Sequence, residues 1–406
     1  MESKSAFHEL AKAAVMQPQE SSLTLMKSKT SIKVGIPREV AFQENRVAIT
    51  PQAVNLLVSN GIEVLVEAGA GKEAKFYDRE YEECGAKITF NTADVFACDI
   101  VIKVSFPTPQ EIEWMSEGIT LISALHFPML QKELIDVLCK KKIIAICFEY
   151  LKDESLNYPI IQCMSEIAGS TSILIAAEYL SNVNRGKGVM LGGISGIPPS
   201  EVIILGAGTV GQFACQAALG LGAEVKVFDN SIYRLRRLQN ALGSRIYTSI
   251  IHPNILKKAL KSADVCIGAI RSTQGRTPMI VTEEMVQEMK YGSVIIDVSI
   301  DQGGCFETSK VTDHNNPVFE YAGVIHYCVP NIPSRVARTA SYGLSNVFAP
   351  LMVQIIEAGG IRNYIWEKEG IRSGIYIYKG NITNQAIATK FGYTYKDLEL
   401  LIASNI

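Results

Sequence analysis

The chain reads as an α/β protein made of two Rossmann-like, doubly wound parallel-sheet domains with a cleft between them. Three observations carry this. Short apolar strands alternate with helix-compatible segments in two separate series, a glycine-rich turn opens the second series, and a long helical run follows it. At 406 residues there is material for two cores.

The first series opens with Ile32-Lys33-Val34-Gly35-Ile36, a strand stopped by Pro37. Pro51 to Val58 has apolar residues at helical spacing with Thr50 as its N-cap. Strands follow at Ile62–Val66, closing at Gly69-Ala70-Gly71, and at Asp99–Val104, Thr120–Leu125 and Ile143–Cys147. Runs this apolar, separated by helices, imply a parallel sheet covered on both faces. Ser165 to Leu180 then reads as a long helix, and strands recur at Glu201–Leu205, Glu224–Asp229, Val265–Ile270 and Ser293–Val298. A helix over Tyr342–Glu357 and a polar C-terminal stretch end the chain. The expected organisation is an N-terminal arm (1–30), the first part of one domain (31–160), a second domain (161–337), and C-terminal helices (338–406) that complete the first.

Composition narrows the function classes. With 48% hydrophobic and 20% charged residues the chain is too apolar for disorder. A net charge of −2 gives no basic surplus for nucleic acid, and Lys140-Lys141-Lys142 is too short a run for a membrane surface. No apolar stretch approaches the roughly 20 residues that cross a bilayer. The first thirty residues carry Glu2, Glu9 and Glu20 without an apolar segment, which does not read as a secretory signal. Nine scattered cysteines, with no C-x-x-C pair and no Cys/His cluster, argue against metal and for reduced thiols in a cytoplasm.

The most specific local feature is Gly206-Ala207-Gly208-Thr209-Val210-Gly211. It follows the strand Val202–Leu205, precedes a helix-compatible run from Gln212 to Leu221, and is followed by Asp229 at the end of the next strand. Gly206 makes the tight turn, Gly208 lets backbone approach a pyrophosphate, and Gly211 lets helix and strand pack closely. The helix N-terminus offers free N–H groups and positive dipole to the phosphates. Asp229 accepts the ribose hydroxyls and repels a 2′-phosphate, so the expected cofactor is NAD. Arg234, Arg236 and Arg237 either soften that preference or form a solvated helix face. A glycine turn that binds something else is the alternative to this whole reading.

Other segments carry a family resemblance. Val34-Gly35-Ile36-Pro37-Arg38-Glu39, Glu44-Asn45-Arg46-Val47-Ala48-Ile49-Thr50-Pro51, Val66 to Gly71, Pro159 to Gly169, the glycine motif, Ile300 to Glu307 and Asn331-Ile332-Pro333-Ser334 stand in the order found in the alanine dehydrogenases and the transhydrogenase α subunit. The likeness spans about residues 32 to 360. Ser123-Ala124-Leu125-His126-Phe127 resembles the dehydrogenase branch. The resemblance implies reversible, NAD-dependent deamination of a small L-amino acid, with alanine and pyruvate as the leading pair. It also implies a homo-oligomer, hexamer or dimer.

Site residues follow from the same likeness. His126 is implied as the acid/base, a task suited to an imidazole near neutrality; read alone, it is a structural histidine at a strand end. Asp301, past a strand end in a glycine turn, is implied at the nicotinamide ribose and in orienting water or the amine. Its alternative is a turn cap, and Asp297 before it reads as structural. Arg46 is implied to grip the substrate carboxylate, against a plain salt bridge as its alternative. Asn331 joins the substrate side and Ser165 the cofactor side. One departure stands out: where the family has Lys-Val-Lys-Glu-Pro, this chain has Lys103-Val104-Ser105-Phe106-Pro107. On a strand Lys103 shares a face with Ser105, so it can stand in as the cation if the strand register differs, and both are candidate substrate residues. Arg271 to Pro278 likewise replaces a Pro-Gly loop. These departures keep two other readings open: a dehydrogenase for another 2-oxo acid, and a nucleotide-binding subunit or sensor with no substrate of its own.

Overall fold

The computed structural model describes residues 32–125, 130–272 and 275–404. In the first half, β1 (Lys33–Ile36), β2 (Glu63–Glu67), β3 (Lys87–Thr89), β4 (Ile100–Ile102), β5 (Thr120–Ser123) and β6 (Ile144–Cys147) pair in parallel. In the second, β7 (Glu201–Leu205), β8 (Glu224–Phe228), β9 (Tyr247–Ser249), β10 (Val265–Gly268) and β11 (Val294–Asp297) do the same. There β12 (Val318–Tyr321) runs antiparallel to β13 (Val324–Tyr327) at the edge. The chain then returns to the first sheet, where β14 (Ile375–Tyr378) pairs antiparallel with β6, and β15 (Asn381–Ile382) with β14.

The strand orders are β15-β14-β6-β5-β4-β1-β2-β3 and β12-β13-β11-β10-β7-β8-β9. In each sheet the chain winds one way from its first strand and then jumps to that strand's other side. This creates a crevice at the C-terminal strand ends between β1 and β4, and another between β7 and β10. Ligands bind in such crevices in open α/β sheets. The central strands β4, β5, β6, β10 and β11 are buried along their whole length, which explains their largely apolar sequences.

Two long helices join the halves. Pro159–Leu180 begins with Ile160 in the first core and continues with Ala168, Ile173 and Ala176 in the second. It presses on the helix Thr209–Gly220 so closely that a Cβ on Gly169 would overlap the backbone of Val210. Ala337–Glu357 returns from the second half and buries Leu344, Phe348 and Met352 in the first core, with Phe348 edge-on to Phe148. Buried Ser341 and Ser345 accept hydrogen bonds from the Val47 and Thr50 amides at 2.9 and 2.7 Å.

Some elements differ from the sequence reading. Thr50 is the N-cap of Pro51–Ser59, with Pro51 in the first turn, but its side chain makes no capping bond. The strands at Asp99–Val104 and Thr120–Leu125 are shorter, because their last residues leave the ladder to build the crevice. The stretch after Glu357 is not merely polar. Ile375-Tyr376-Ile377-Tyr378 is a fully buried strand, hidden from pattern reading by the charged segments around it.

Candidate functional site

The glycine turn sits in the β7/β10 crevice, and its three glycines face three different surroundings. Gly206 has φ +108°, and a Cβ there would lie 2.5 Å from the Ala269 carbonyl oxygen on the neighbouring strand's extension. A Cβ on Gly211 would overlap the Gly206 carbonyl oxygen. A Cβ on Gly208 would meet nothing within 4 Å. Packing therefore demands glycine at 206 and 211, whereas at 208 it leaves open space over the first turn of Thr209–Gly220. An open backbone cradle at a twelve-residue helix's N-terminus fits a dinucleotide pyrophosphate. Ala207 is buried, and Thr209 and Val210 are half-buried beside that space.

Asp229 lies just past β8. Its Oδ2 accepts the Ala207 N–H at 2.7 Å and its Oδ1 the Ser231 N–H at 2.7 Å. One carboxylate thus ties the turn to the next strand and keeps lone pairs for ribose hydroxyls. Arg234 stands 3.8 Å from Asp229 Oδ2 with a half-exposed side chain. Arg236 and Arg237 are exposed on the same helix.

Asp301 lies in the 3-10 turn Val298–Gln302 directly after β11. Its Oδ1 accepts the Asn331 backbone N–H at 3.3 Å. Asn331 has φ +57°, a left-handed conformation that Asn tolerates, and leads into Ile332–Val336. The flanking loop packs on the same turn: Ser272 N–H donates to Gln302 Oε1 at 3.1 Å and Thr277 N–H to Gln302 O at 2.8 Å. Asp297, by contrast, is buried in hydrogen bonds from Ser309 Oγ (2.6 Å), Ser299 N–H (3.0 Å) and Cys305 N–H (3.1 Å). Burial pushes both its carboxyl and the Cys305 thiol up, so these two are structural.

In the first half the loop after β1 supplies Glu39, Glu44 and Arg46. Glu44 grips Arg46 bidentately, with Nε–Oε1 2.7 Å and Nη2–Oε2 2.5 Å. Both side chains are largely buried. Burial opposes both charges, yet each holds the other ionised: Glu44 sits below the usual carboxyl range and Arg46 above its ordinary value, with Glu39 and Glu149 adding to the latter. Nη1 of Arg46 points to Met164 Sδ at 3.4 Å, one residue before the half-buried Ser165 on Pro159–Leu180. Asn331 Nδ2 reaches across to Glu44 Oε2 at 3.0 Å. Arg46, Asn331 and Asp301, far apart in sequence, are thereby joined in one chain of contacts through Glu44.

Lys103 does not take the expected part. Its side chain is wholly buried, with Nζ 2.9 Å from Glu39 Oε2 and 3.2 Å from Glu111 Oε1. Burial disfavours its charge, but the two carboxylates hold its pKa above the ordinary lysine value. Residues 103–105 have left the strand, and Ser105 Oγ also donates to Glu39, which in addition accepts the Val104 N–H at 2.5 Å. Lys103 and Ser105 do point the same way, both onto Glu39 Oε2, but there Lys103 is a buried internal counter-charge to Glu39 and Glu111.

His126 lies outside the described residues. Its strand β5 ends at Ser123, and the Ala124 N–H bonds to Val104 O at 3.2 Å, so the chain leaves β5 beside the Ser105 segment. Sequence reading missed Glu39, Glu44 and Glu149 as members of this site. Glu149 sits directly after β6 in the turn Phe148–Tyr150, and Glu39 and Glu44 follow β1. The signal was an acidic residue just beyond a buried parallel strand. All nine cysteines are free.

Comparison with known proteins agrees with this architecture. Residues 35–168 match the family described as alanine dehydrogenase/PNT, N-terminal domain, and residues 172–385 its C-terminal domain. A curated relative, alanine dehydrogenase 2 of Staphylococcus aureus (strain USA300), is 39% identical over 369 residues, covering 91% of this chain and 99% of its own. A solved L-alanine dehydrogenase superposes with a TM-score of 0.84 at 35% identity, over 89% of this chain and 99% of that one. A transhydrogenase from Sinorhizobium meliloti gives a TM-score of 0.74 at 25% identity, over 87% and 99%. With both halves of its fold matched in order, the chain belongs to the alanine dehydrogenase/PNT family.

Proposed function

We propose that the protein is an NAD-dependent alanine dehydrogenase, interconverting L-alanine, NAD+ and water with pyruvate, ammonium, NADH and a proton. The observation that carries this reading is the contact between Asn331 and Glu44, which sets the carboxylate-binding Arg46 of one half opposite the Asp301 turn of the other. The relatives named alanine dehydrogenase support the substrate pair.

Bound NAD supplies the acceptor for the hydride that leaves the substrate Cα. Gly206, Ala207, Gly208, Thr209, Val210 and Gly211 cradle its phosphates, Asp229 takes the adenosine ribose with Arg234 at its flank, and Asp301 and Ser165 border the nicotinamide side. Arg46 binds the substrate carboxylate through its remaining guanidinium N–H groups, and Asn331 assists from the opposite wall. Water attacks the imine once hydride has left. His126 takes the proton from that water and returns one to the departing amine, and Asp301 orients them. Closing the halves excludes bulk water from these transfers. Ser105 contributes a hydroxyl in place of an ammonium and Lys103 is spent on Glu39 and Glu111, so neither adds a second cation to Arg46 and Asn331 at the substrate carboxylate.

The enzyme is placed in a cytoplasm, consistent with nine unpaired thiols, and as a homo-oligomer, consistent with apolar Met190, Ile194 and Ile197 exposed on one turn. A second reading is favoured by Ser105: the same chemistry on another small 2-oxo acid. Assay of the purified chain with NAD+ and a panel of L-amino acids at alkaline pH decides between them. The proposal expects NADH absorbance with L-alanine above the other amino acids, and a reverse reaction of pyruvate that needs ammonium. NADH binding without turnover of any amino or oxo acid would instead leave a nucleotide-binding subunit.

A further inference from the structure

We infer that Glu44 is a positioning residue which, through Asn331, couples occupancy of the dinucleotide site to the orientation of Arg46; this rests on the dehydrogenase reading above. Glu44 makes all the polar contacts such a role needs. Its two oxygens fix the guanidinium plane of Arg46 by two bonds, and the same Oε2 accepts Nδ2 of Asn331 from the other half. The Asn331 backbone N–H in turn bonds Asp301 in the turn after β11.

The rest of the Glu44 loop is held from the same side. The Asn45 N–H donates to Ser334 Oγ at 2.9 Å, Ser334 Oγ donates to Gln43 O at 2.7 Å, and the His314 N–H donates to Gln43 Oε1 at 2.8 Å. The loop that presents Arg46 is thus tied to residues 314, 331 and 334, all in the half that carries the glycine turn. Its own half holds the loop at its two ends, Glu39 on Lys103, Val104 and Ser105 and the Val47 N–H on Ser341 Oγ, while the stretch between them has no ladder partner. Asn331 holds a left-handed conformation, and its Nδ2 is committed to Glu44 Oε2. A buried, doubly bonded carboxylate with a third bond across the gap restricts Arg46 only while the halves are in contact. When they part, Glu44 keeps Arg46 but loses its anchor, and the guanidinium moves with the loop. Whatever draws the Asp301–Asn331 segment into place therefore sets the carboxylate site as well.

The test uses the full chain, NADH as probe, and amide hydrogen exchange as readout. In the parent, saturating NADH should slow exchange about fivefold or more both at 206–211 and at the Asn45 and Arg46 amides across the gap. Asn331→Gly removes Nδ2 while suiting the left-handed backbone, so it folds without added strain. It should keep the slowing at 206–211 and lose it at Asn45 and Arg46. Glu44→Gln, measured by steady-state kinetics, should raise KM for pyruvate about tenfold with kcat within about threefold. A merely structural Glu44 would lower Tm and leave KM alone. Slowing at 206–211 without slowing at 45–46 in the parent overturns the inference and leaves the dehydrogenase reading intact. So does slowing at 45–46 that survives Asn331→Gly. No slowing at 206–211 removes the dinucleotide reading and this inference with it.

Discussion

Gly211 lies so close to the carbonyl oxygen of Gly206 that no side chain fits between them, whereas Gly208, midway along the same turn, faces open space. One motif therefore contains two kinds of glycine, kept by packing and by ligand approach respectively. Gly211→Ala should destabilise the chain by about 1–3 kcal/mol through overpacking. Gly208→Ala should leave Tm unchanged and weaken NADH binding by about tenfold or more. Thermal denaturation and fluorescence titration with NADH read the two effects separately. Equal loss of stability in both variants would remove the cradle assignment.

On the proposed reading Asp229 discriminates cofactors by charge. Its carboxylate stands beside the turn with Arg234 3.8 Å away. Asp229→Ser removes the negative charge, leaves a hydroxyl, and frees Arg234 for a 2′-phosphate. The ratio of kcat/KM for NAD+ over NADP+ should fall by about 100-fold, in line with loss of a charged hydrogen bond and of like-charge repulsion. A ratio unchanged by the substitution would move ribose recognition elsewhere.

His126→Ala addresses proton transfer. General acid/base groups contribute about 10²–10⁴ in rate, so kcat should fall by that much while NADH affinity stays as it was. A variant that turns over at the parent rate would remove the assignment.

A different histidine sets an acid limit on stability. His326 is fully buried between Val324 O (2.9 Å from Nδ1) and Thr308 Oγ1 (2.8 Å from Nε2), stacked on Phe319. In its neutral form Nδ1–H donates to the carbonyl and Nε2 accepts the threonine hydroxyl. Burial lowers its pKa to about 4, partly opposed by the bond to Val324. The unfolded chain, with a histidine pKa near 6.5, takes up this proton first as pH falls. The contribution is whole above that value and is lost on the way down to about 4, where it amounts to about 3 kcal/mol. His326→Gln should flatten the fall of Tm between pH 6.5 and 4, provided the parent shows one. An equal slope in both proteins would assign the acid sensitivity to other groups.

What the sequence disclosed was whatever depends on local pattern. The central strands are apolar because they are buried on both faces, and the turn at 206–211 has glycine at 206 and 211 because backbone approaches backbone there. Asp301 was readable as a residue just past a strand. Pairings across the fold were not readable. Glu44 touches Asn331 over 287 positions, and no spacing rule links them. The fate of Lys103 depended on Glu39 and Glu111, two carboxylates that no spacing rule places beside it. Nor does composition reveal that Ile375–Tyr378 extends the first sheet, since its partner strand β6 is more than 200 residues earlier.

The exchange at position 105 gives the sharpest test of substrate recognition. Ser105 Oγ donates to Glu39, whose carboxylate is also shared with the Lys103 ammonium, while that ammonium serves Glu111 as well. Two carboxylates share one cation, so this corner carries a surplus negative charge beside Arg46. On the proposed reading that surplus works against an anionic substrate, and no second cation from this corner joins Arg46 and Asn331 on its carboxylate. Ser105→Lys adds a cation at the end of a flexible stem and balances the surplus. A charged hydrogen bond contributes about 1.5–3 kcal/mol, so KM for pyruvate should fall by about tenfold or more. KM for ammonium, which carries no carboxylate, should change by less than about twofold. If KM for pyruvate stays put while Tm rises, Glu39 has captured the new ammonium and position 105 does not reach the substrate.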